Sequence, residues 1–189
     1  MARAFLDDPP FSWVLPAAAT RERRLGTFFS AALKADAFGG RPLADVEVAT
    51  VQGRPVGAAI WYPPGTWPPS LGHQLATLPG NIRALGRRLG PAGALARALG
   101  SAHPRRPHWY LAYVGVEPSW QGHGIGSALL RYGLARCDVD HAGAYLESSK
   151  PSSVGLYEHF GFEPTGVAPL PAGAPTITVM WRAAGSSPS

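Results

Sequence analysis

A single cysteine, Cys137, leaves nothing to form an internal disulfide or a multi-cysteine metal cluster. Lysine is scarce as well, with only Lys34 and Lys150 in 189 residues. No stretch approaches the roughly eighteen consecutive apolar residues of a membrane span. Met1-Ala2-Arg3 runs on to Asp7-Asp8 without the apolar core of a secretory leader. These gaps point to a cytoplasmic protein with no membrane partner. Between Glu47 and Glu117 there is no carboxylate, yet that stretch holds Arg54, Arg83, Arg87, Arg88, Arg97, Arg105 and Arg106. The chain carries a formal net charge of +5, so its remainder is slightly acidic. Such a basic segment suits a phosphate-bearing partner, or is a solvated face. Nucleic acid is disfavoured, because neither zinc-finger spacing nor an aromatic RNA-binding signature accompanies the arginines.

What is present fits one folded unit. A 19.9 kDa chain with 46% hydrophobic and 15% charged residues can fill a single core. We expect one domain over 1–182 and a frayed tail over 183–189. Twenty prolines and 23 glycines punctuate the sequence and keep its elements short. Residues 1–6 read as the tail of a helix broken by Asp7-Asp8-Pro9-Pro10. Leu25, Phe28, Phe29, Ala32 and Leu33 keep helical spacing within a helix from about Ala17 to Phe38, stopped by Gly39-Gly40. Val46, Val48 and Val51 predict a strand, and Gln52-Gly53-Arg54 turns it into a second, Val56 to Tyr62. Residues 63–79 read as a Pro-rich loop with a short helical turn, a candidate lid or pocket wall. Asn81 to Leu99 reads as helix interrupted near Gly90-Pro91. Then follow a strand from His108 to Val116, a helix from Ile125 to about Asp138, a strand from Ala144 to Ser148, a helix from Ser153 to Phe160 and a strand from Thr176 to Trp181.

The most informative segment is Val114-Gly115-Val116-Glu117-Pro118-Ser119-Trp120-Gln121-Gly122-His123-Gly124-Ile125-Gly126-Ser127. A strand enters a glycine-rich loop that opens a helix. Glycines let successive N–H groups point into one concavity, and the helix start adds partial positive charge. The product is a diphosphate cradle that needs no lysine. A Walker loop is excluded, because its Gly-Lys-Ser/Thr is missing. A dinucleotide fingerprint fits Gly122 and Gly124, with Glu147 about 20 residues on, where a ribose-binding acid belongs. Against it, Ser127 replaces the third glycine, and five residues separate Val116 from Gly122.

Gln121-Gly122-His123-Gly124-Ile125-Gly126 resembles the Q/R-x-x-G-x-G/A acyl-CoA loop of the GCN5-related N-acetyltransferases, the GNAT superfamily. The preceding Val114-Gly115-Val116-Glu117-Pro118 is similar to the strand end found there. Leu156-Tyr157-Glu158-His159-Phe160-Gly161-Phe162 resembles the L-Y-x-x-x-G-F signature of the same superfamily. Tyr145-Leu146-Glu147-Ser148-Ser149, His108-Trp109-Tyr110-Leu111 and Ala59-Ile60-Trp61-Tyr62-Pro63-Pro64-Gly65 look like the branch containing puromycin N-acetyltransferase. The resemblance covers roughly 43–182. It implies an α/β (α+β) GNAT fold, with a mixed, mostly antiparallel sheet flanked by helices. Two departures stand out. Members usually begin with a strand, whereas Met1 falls inside a helix, so the true start lies upstream or the first strand is missing. An asparagine that touches CoA in relatives is replaced by Ser153.

The resemblance further implies acetyl-CoA as co-substrate, no metal, and an amine acceptor. It implies that Val114, Gly115 and Val116 pair with pantetheine and supply the oxyanion donor. The diphosphate then rests on Gln121, Gly122, His123, Gly124, Ile125, Gly126 and Ser127, with Ser153 a further cofactor contact. Arg131 or an arginine of 83–106 is left to meet the 3′-phosphate. Tyr157 is the candidate acid near the CoA sulfur, and Glu147 the candidate base. An acid in an apolar strand is costly unless useful or paired, so a buried salt bridge to arginine is the alternative for Glu147. His108 is the reserve base, and Cys137 reads as a small core residue. Trp13, Trp61, Tyr62, Trp67, Trp109 and Tyr113 are candidate pocket aromatics, of which at most half are expected to face substrate. A small-molecule amine, antibiotic or metabolite, is the expected acceptor. A peptide N-terminus or protein lysine is the second reading, and a non-catalytic CoA-binding module the third. Monomer and homodimer both stay open.

Overall fold

The computed structural model describes residues 1–36 and 43–186. Its centre is a six-stranded sheet in the order β1-β2-β3-β4-β6-β5. The strands are β1 (Asp45–Val51), β2 (Arg54–Tyr62), β3 (Trp109–Val116), β4 (Ala144–Ser148), β5 (Glu163–Val167) and β6 (Thr178–Arg182). All neighbours run antiparallel except β3 and β4, which are parallel. Helices α1 (Pro9–Val14), α2 (Ala18–Asp36), α3 (Leu71–Leu85), α4 (Leu89–Ala102), α5 (Ile125–Val139) and α6 (Pro151–His159) cover the sheet. No helix among the described residues is long and apolar enough to cross a membrane.

Side chains alternate across the strands, and the two faces build two cores. Trp61, Trp109, Leu111, Leu146 and Met180 meet Leu129, Leu130 and Leu134 of α5 on one face. Ile60, Tyr62, Tyr110, Tyr145 and Val179 meet Leu25, Phe29, Leu85 and Leu95 on the other. Helix α5 lies close because Gly133 has no side chain. A Cβ there would stand 2.3 Å from Trp61 Nε1, and that ring is fully buried. Gly133→Ala should therefore cost about 2 kcal/mol or more by overpacking, read as a drop in thermal midpoint. An unchanged midpoint would mean that Trp61 has room to move.

Several expectations shift. The break at Asp7-Asp8-Pro9-Pro10 is also a helix start: Asp8 caps α1, accepting from Phe11 N at 3.2 Å, with proline in the first turn. Before it, Ala2–Phe5 forms a single 3₁₀ turn rather than the end of a helix. The loop expected over 63–79 ends at Ser70, whose hydroxyl caps α3, and the helix runs through Pro79. Its apolar residues Leu71, Leu75, Leu78 and Ile82 face outward. The inner side instead sets Gly80 against Ala31 of α2 and buries Ala84 and Leu85. The break between α3 and α4 falls at Gly86–Arg88, because Pro91 sits in the first turn of α4, where no N–H is required. Strand β5 was not anticipated. It is an exposed edge carrying Pro164 and Gly166, both poor strand formers. The expected stop at Gly39-Gly40, the helix end at Phe38 and tail residues 187–189 lie outside the described residues. The guanidinium of Arg182 donates to Ser186 O, tying down the nearer part of the tail.

The arginines of 54–106 are partly structural. Arg88 donates to Val14 O and Trp13 O at 2.9 and 2.8 Å, closing the C-terminus of α1. Arg106 lies over the Trp181 ring, 3.4 Å from its centroid.

Candidate active site

The cleft begins with a fault in the sheet. Strand β3 pairs with β2 through Tyr113↔Ile60 and then Leu111↔Trp61, so Ala112 is one residue too many. This bulge bends β3. Strands β3 and β4 are in register only over Trp109–Leu111 and Ala144–Leu146, and beyond them they part. From Ala112 to Val116, one edge of β3 remains on β2 while the other meets no strand among the described residues. Between the splayed ends lies a cleft of about 640 Å³.

Beyond β3, a short turn at Pro118–Trp120 leads into the glycine loop. Gly122 and Gly124 adopt φ of +78° and +76°, which turn the chain back into α5. Among the described residues, no backbone acceptor takes the amides of residues 122–127, and the first internal bond runs from Ala128 N to Gly124 O at 2.9 Å. Those donors are open at a helix N-terminus, the arrangement that binds phosphate. Gln121 Nε2 donates to Val116 O at 3.1 Å and locks loop to strand. Such a cradle suits the diphosphate of coenzyme A. The structure brings Val114, Gly115, Val116, Gln121, Gly122, Gly124, Ile125, Gly126, Ser127 and Ser153 to this cleft. His123 is exposed and does not line it, its Nδ1 lying 2.9 Å from Gln121 O.

Tyr157 and Glu147 line the same cleft from α6 and β4. Tyr157 packs edge-on against Phe162, and burial pushes its phenol up to about 12, with Asp8 adding to the rise. Among the described residues Glu147 has no arginine partner. Tyr110 Oη donates to its Oε2 at 2.7 Å and Tyr145 Oη to its Oε1 at 3.2 Å. Burial raises the carboxyl above its ordinary range, and these phenol bonds only partly oppose it. His103 Nδ1 stands 4.0 Å from Oε1. The reserve base His108 lies behind, with its Nδ1 2.6 Å from Arg106 O, and does not line the cleft.

Three groups escaped the sequence reading. Asp8, Phe5 and Lys150 line the cleft, although Asp8 and Phe5 lie far from the motif in sequence. Ser149 Oγ donates to Asp8 Oδ2 at 2.5 Å, tying the N-terminal segment to the end of β4. Asp8-Pro9 signals only a helix cap, so no local pattern announced this second role. Gly115 makes the approach possible, since a Cβ there would lie 2.8 Å from the Phe5 ring. Of the candidate aromatics, Tyr113 lines the cleft, whereas Trp61 and Trp109 are buried on the α5 side. Arg131 is exposed on α5, 5.8 Å from the Phe160 ring centroid, and does not line the cleft. Cys137 is fully buried, its thiol pushed up to about 12 by burial, which suits a core residue.

A sequence profile described as "Acetyltransferase (GNAT) domain" matches residues 42–164, which contain the bulged strand, the glycine loop, Glu147 and Tyr157. The chain belongs to the GNAT acetyltransferase family. At the level of that family it is an acetyl-CoA-dependent N-acetyltransferase. A crystal structure of histone acetyltransferase HPA2 and related acetyltransferase from Corynebacterium glutamicum is similar at 28% identity. It covers 98% of this chain and 87% of that one, with a TM-score of 0.73. PH1933 from Pyrococcus horikoshii shares the fold at 15% identity, covering 96% and 88% of the two chains with a TM-score of 0.55. An N-acetyltransferase of Schizosaccharomyces pombe, described as uncharacterized, is 44% identical over 54 residues. That match spans 29% of this chain and 22% of the relative's length.

Proposed function

We propose that this GNAT domain moves an acetyl group from acetyl-CoA to the primary amine of a small molecule, an antibiotic or a metabolite. The thioester is attacked directly. The observation that carries the reading is the convergence of three features on one cleft: the open amides of 122–127, the unpaired edge of β3, and the pair Glu147 and Tyr157. Coenzyme A lies with its diphosphate on the loop and its pantetheine along β3, adding to the sheet edge as peptides do. An amide of Val114 to Val116 faces the oxyanion, and Ser153 lies on the cofactor side. No metal enters the scheme.

An alkyl ammonium with a pKa of ~10.4 leaves roughly one molecule in 2,500 neutral at pH 7, a deficit of about 4.6 kcal/mol. Glu147 removes that proton; as the C–N bond forms and the C–S bond breaks, the nitrogen loses its second proton to water in the open cleft. The departing thiolate needs stabilisation at the other end. A phenol held at about 12 that transferred its proton fully to a thiolate near 8.5 would climb about 5 kcal/mol. Tyr157 therefore keeps its proton and donates a hydrogen bond to the sulfur. Tyr157→Phe should lower kcat about 10- to 100-fold while leaving the acetyl-CoA dissociation constant unchanged. Unaltered turnover would remove Tyr157 from the mechanism.

The enclosure of Glu147 favours a small acceptor. Its side chain is 9% exposed, set among Tyr110, Tyr145 and His103. A peptide N-terminus or lysine on a folded partner would have to reach into that recess. Thiol release from acetyl-CoA against amino-nucleosides, aminoglycosides, polyamines and peptides decides between these classes. Turnover on peptides alone would overturn the small-molecule reading, and coenzyme binding with no turnover would leave a binding module.

A further inference from the structure

Behind Glu147 lie two histidines that the mechanism above does not use. Arg106 O can only accept, so His108 Nδ1, 2.6 Å away, carries a hydrogen. His108 Nε2 lies 3.0 Å from His103 Nε2, and one of those nitrogens must donate to the other. Burial, the largest effect, and the neighbouring Arg106 charge outweigh the opposing bond to Arg106 O and hold His108 neutral, with its one hydrogen already committed at Nδ1. His103 is therefore the donor, through Nε2. Burial, with His108 adding to it, pushes His103 down to about 3, so that ring has no second proton. Its Nδ1 is bare, buried and, among the described residues, without a hydrogen-bond partner, 4.0 Å from Glu147 Oε1.

We propose that His103, locked by His108 into the tautomer with a bare Nδ1, is a positioning residue that sets the pH at which Glu147 ionises. The proposal rests on the role of Glu147 given above. A lone pair 4.0 Å from a carboxylate oxygen repels its charge and welcomes its acid form, so proton affinity rises. The other groups around Glu147 are the phenols of Tyr110 and Tyr145, which bond it, and Tyr113, on β3, while Asp8, Lys150 and Tyr157 line the same cleft from other elements. Arg106 and His108 stand one layer further back. His103 is held in place by rings, at 4.9 Å from Trp67, 4.7 Å from Tyr110 and 4.8 Å from Tyr145. The base is thus tuned by a neutral neighbour.

Nuclear magnetic resonance tests this without any acceptor. In ¹⁵N-histidine protein, His103 should show a protonated Nε2 and a bare Nδ1. With ¹³C-carboxyl glutamate, the Glu147 signal, assigned by its loss in Glu147→Gln, should titrate about one pH unit lower in His103→Phe. That variant keeps an aromatic ring against Trp67. His108→Phe should move the midpoint in the same direction, because His103 is then free to carry its hydrogen on Nδ1 and donate to Glu147. It serves equally if His103→Phe fails to fold. An unmoved midpoint, or a doubly protonated His103, overturns the proposal. Wild-type turnover by Glu147→Gln would instead overturn the role of Glu147, so the two failures are told apart.

Discussion

Glu147→Gln should lose about 10²- to 10⁴-fold in kcat at pH 7, the contribution expected of a general base. Its acetyl-CoA affinity should not change, since glutamine fills the same volume between Tyr110 and Tyr145. The pH dependence carries the sharper signal. In the wild type, Glu147 must be ionised to accept a proton, so activity falls as pH drops through a carboxyl already raised by burial. Without it, the amine must lose its proton to water before it binds productively. The variant should then gain about tenfold per pH unit as the free amine accumulates toward its own pKa of ~10.4. The gap to wild type narrows accordingly. A variant that keeps the wild-type acid limb would show that some other group takes the proton.

The second large effect concerns the loop. Gly124→Asp should raise the acetyl-CoA dissociation constant at least about a hundredfold, because two like charges 4 Å apart cost roughly 4 kcal/mol at an effective dielectric of 20. Folding should hardly suffer. Aspartate tolerates the positive φ of Gly124 better than most residues, and a carboxylate at a helix start is favoured by about 0.3–1 kcal/mol. Gly124→Asn is the control, of equal size and without the charge, and should retain most of the affinity. Calorimetry on both, beside their melting curves, separates electrostatics from shape. Equal affinities for the two would mean that no phosphate sits at this turn.

The site was legible where its chemistry is local. Gly122, Gly124 to Ser127, Glu147 and Tyr157 each lie in a short segment whose glycines, strand alternation or helix start can be read directly, whereas His123 in the same loop stays outside the cleft. What resisted reading was assembled across distance. Asp8 reaches the cleft through Ser149, and His103 meets Glu147 only because α4 lies against that face of the sheet. Helix α3 was misread for another reason. Leu71, Leu75, Leu78 and Ile82 obey helical spacing but face water, and Gly80 packs on α2, so over those turns the usual equation of apolar with inside fails. The exposed strand β5 had no alternation to offer.

Ala112 gives the architecture an unusual vulnerability. Evolution could make this sheet more regular by losing one codon. The ladder would zip shut between its third and fourth strands, and a tidier protein would have nowhere to lay a coenzyme. Competence here is the upkeep of an imperfection. Selection for thermal robustness alone would be expected to erase it.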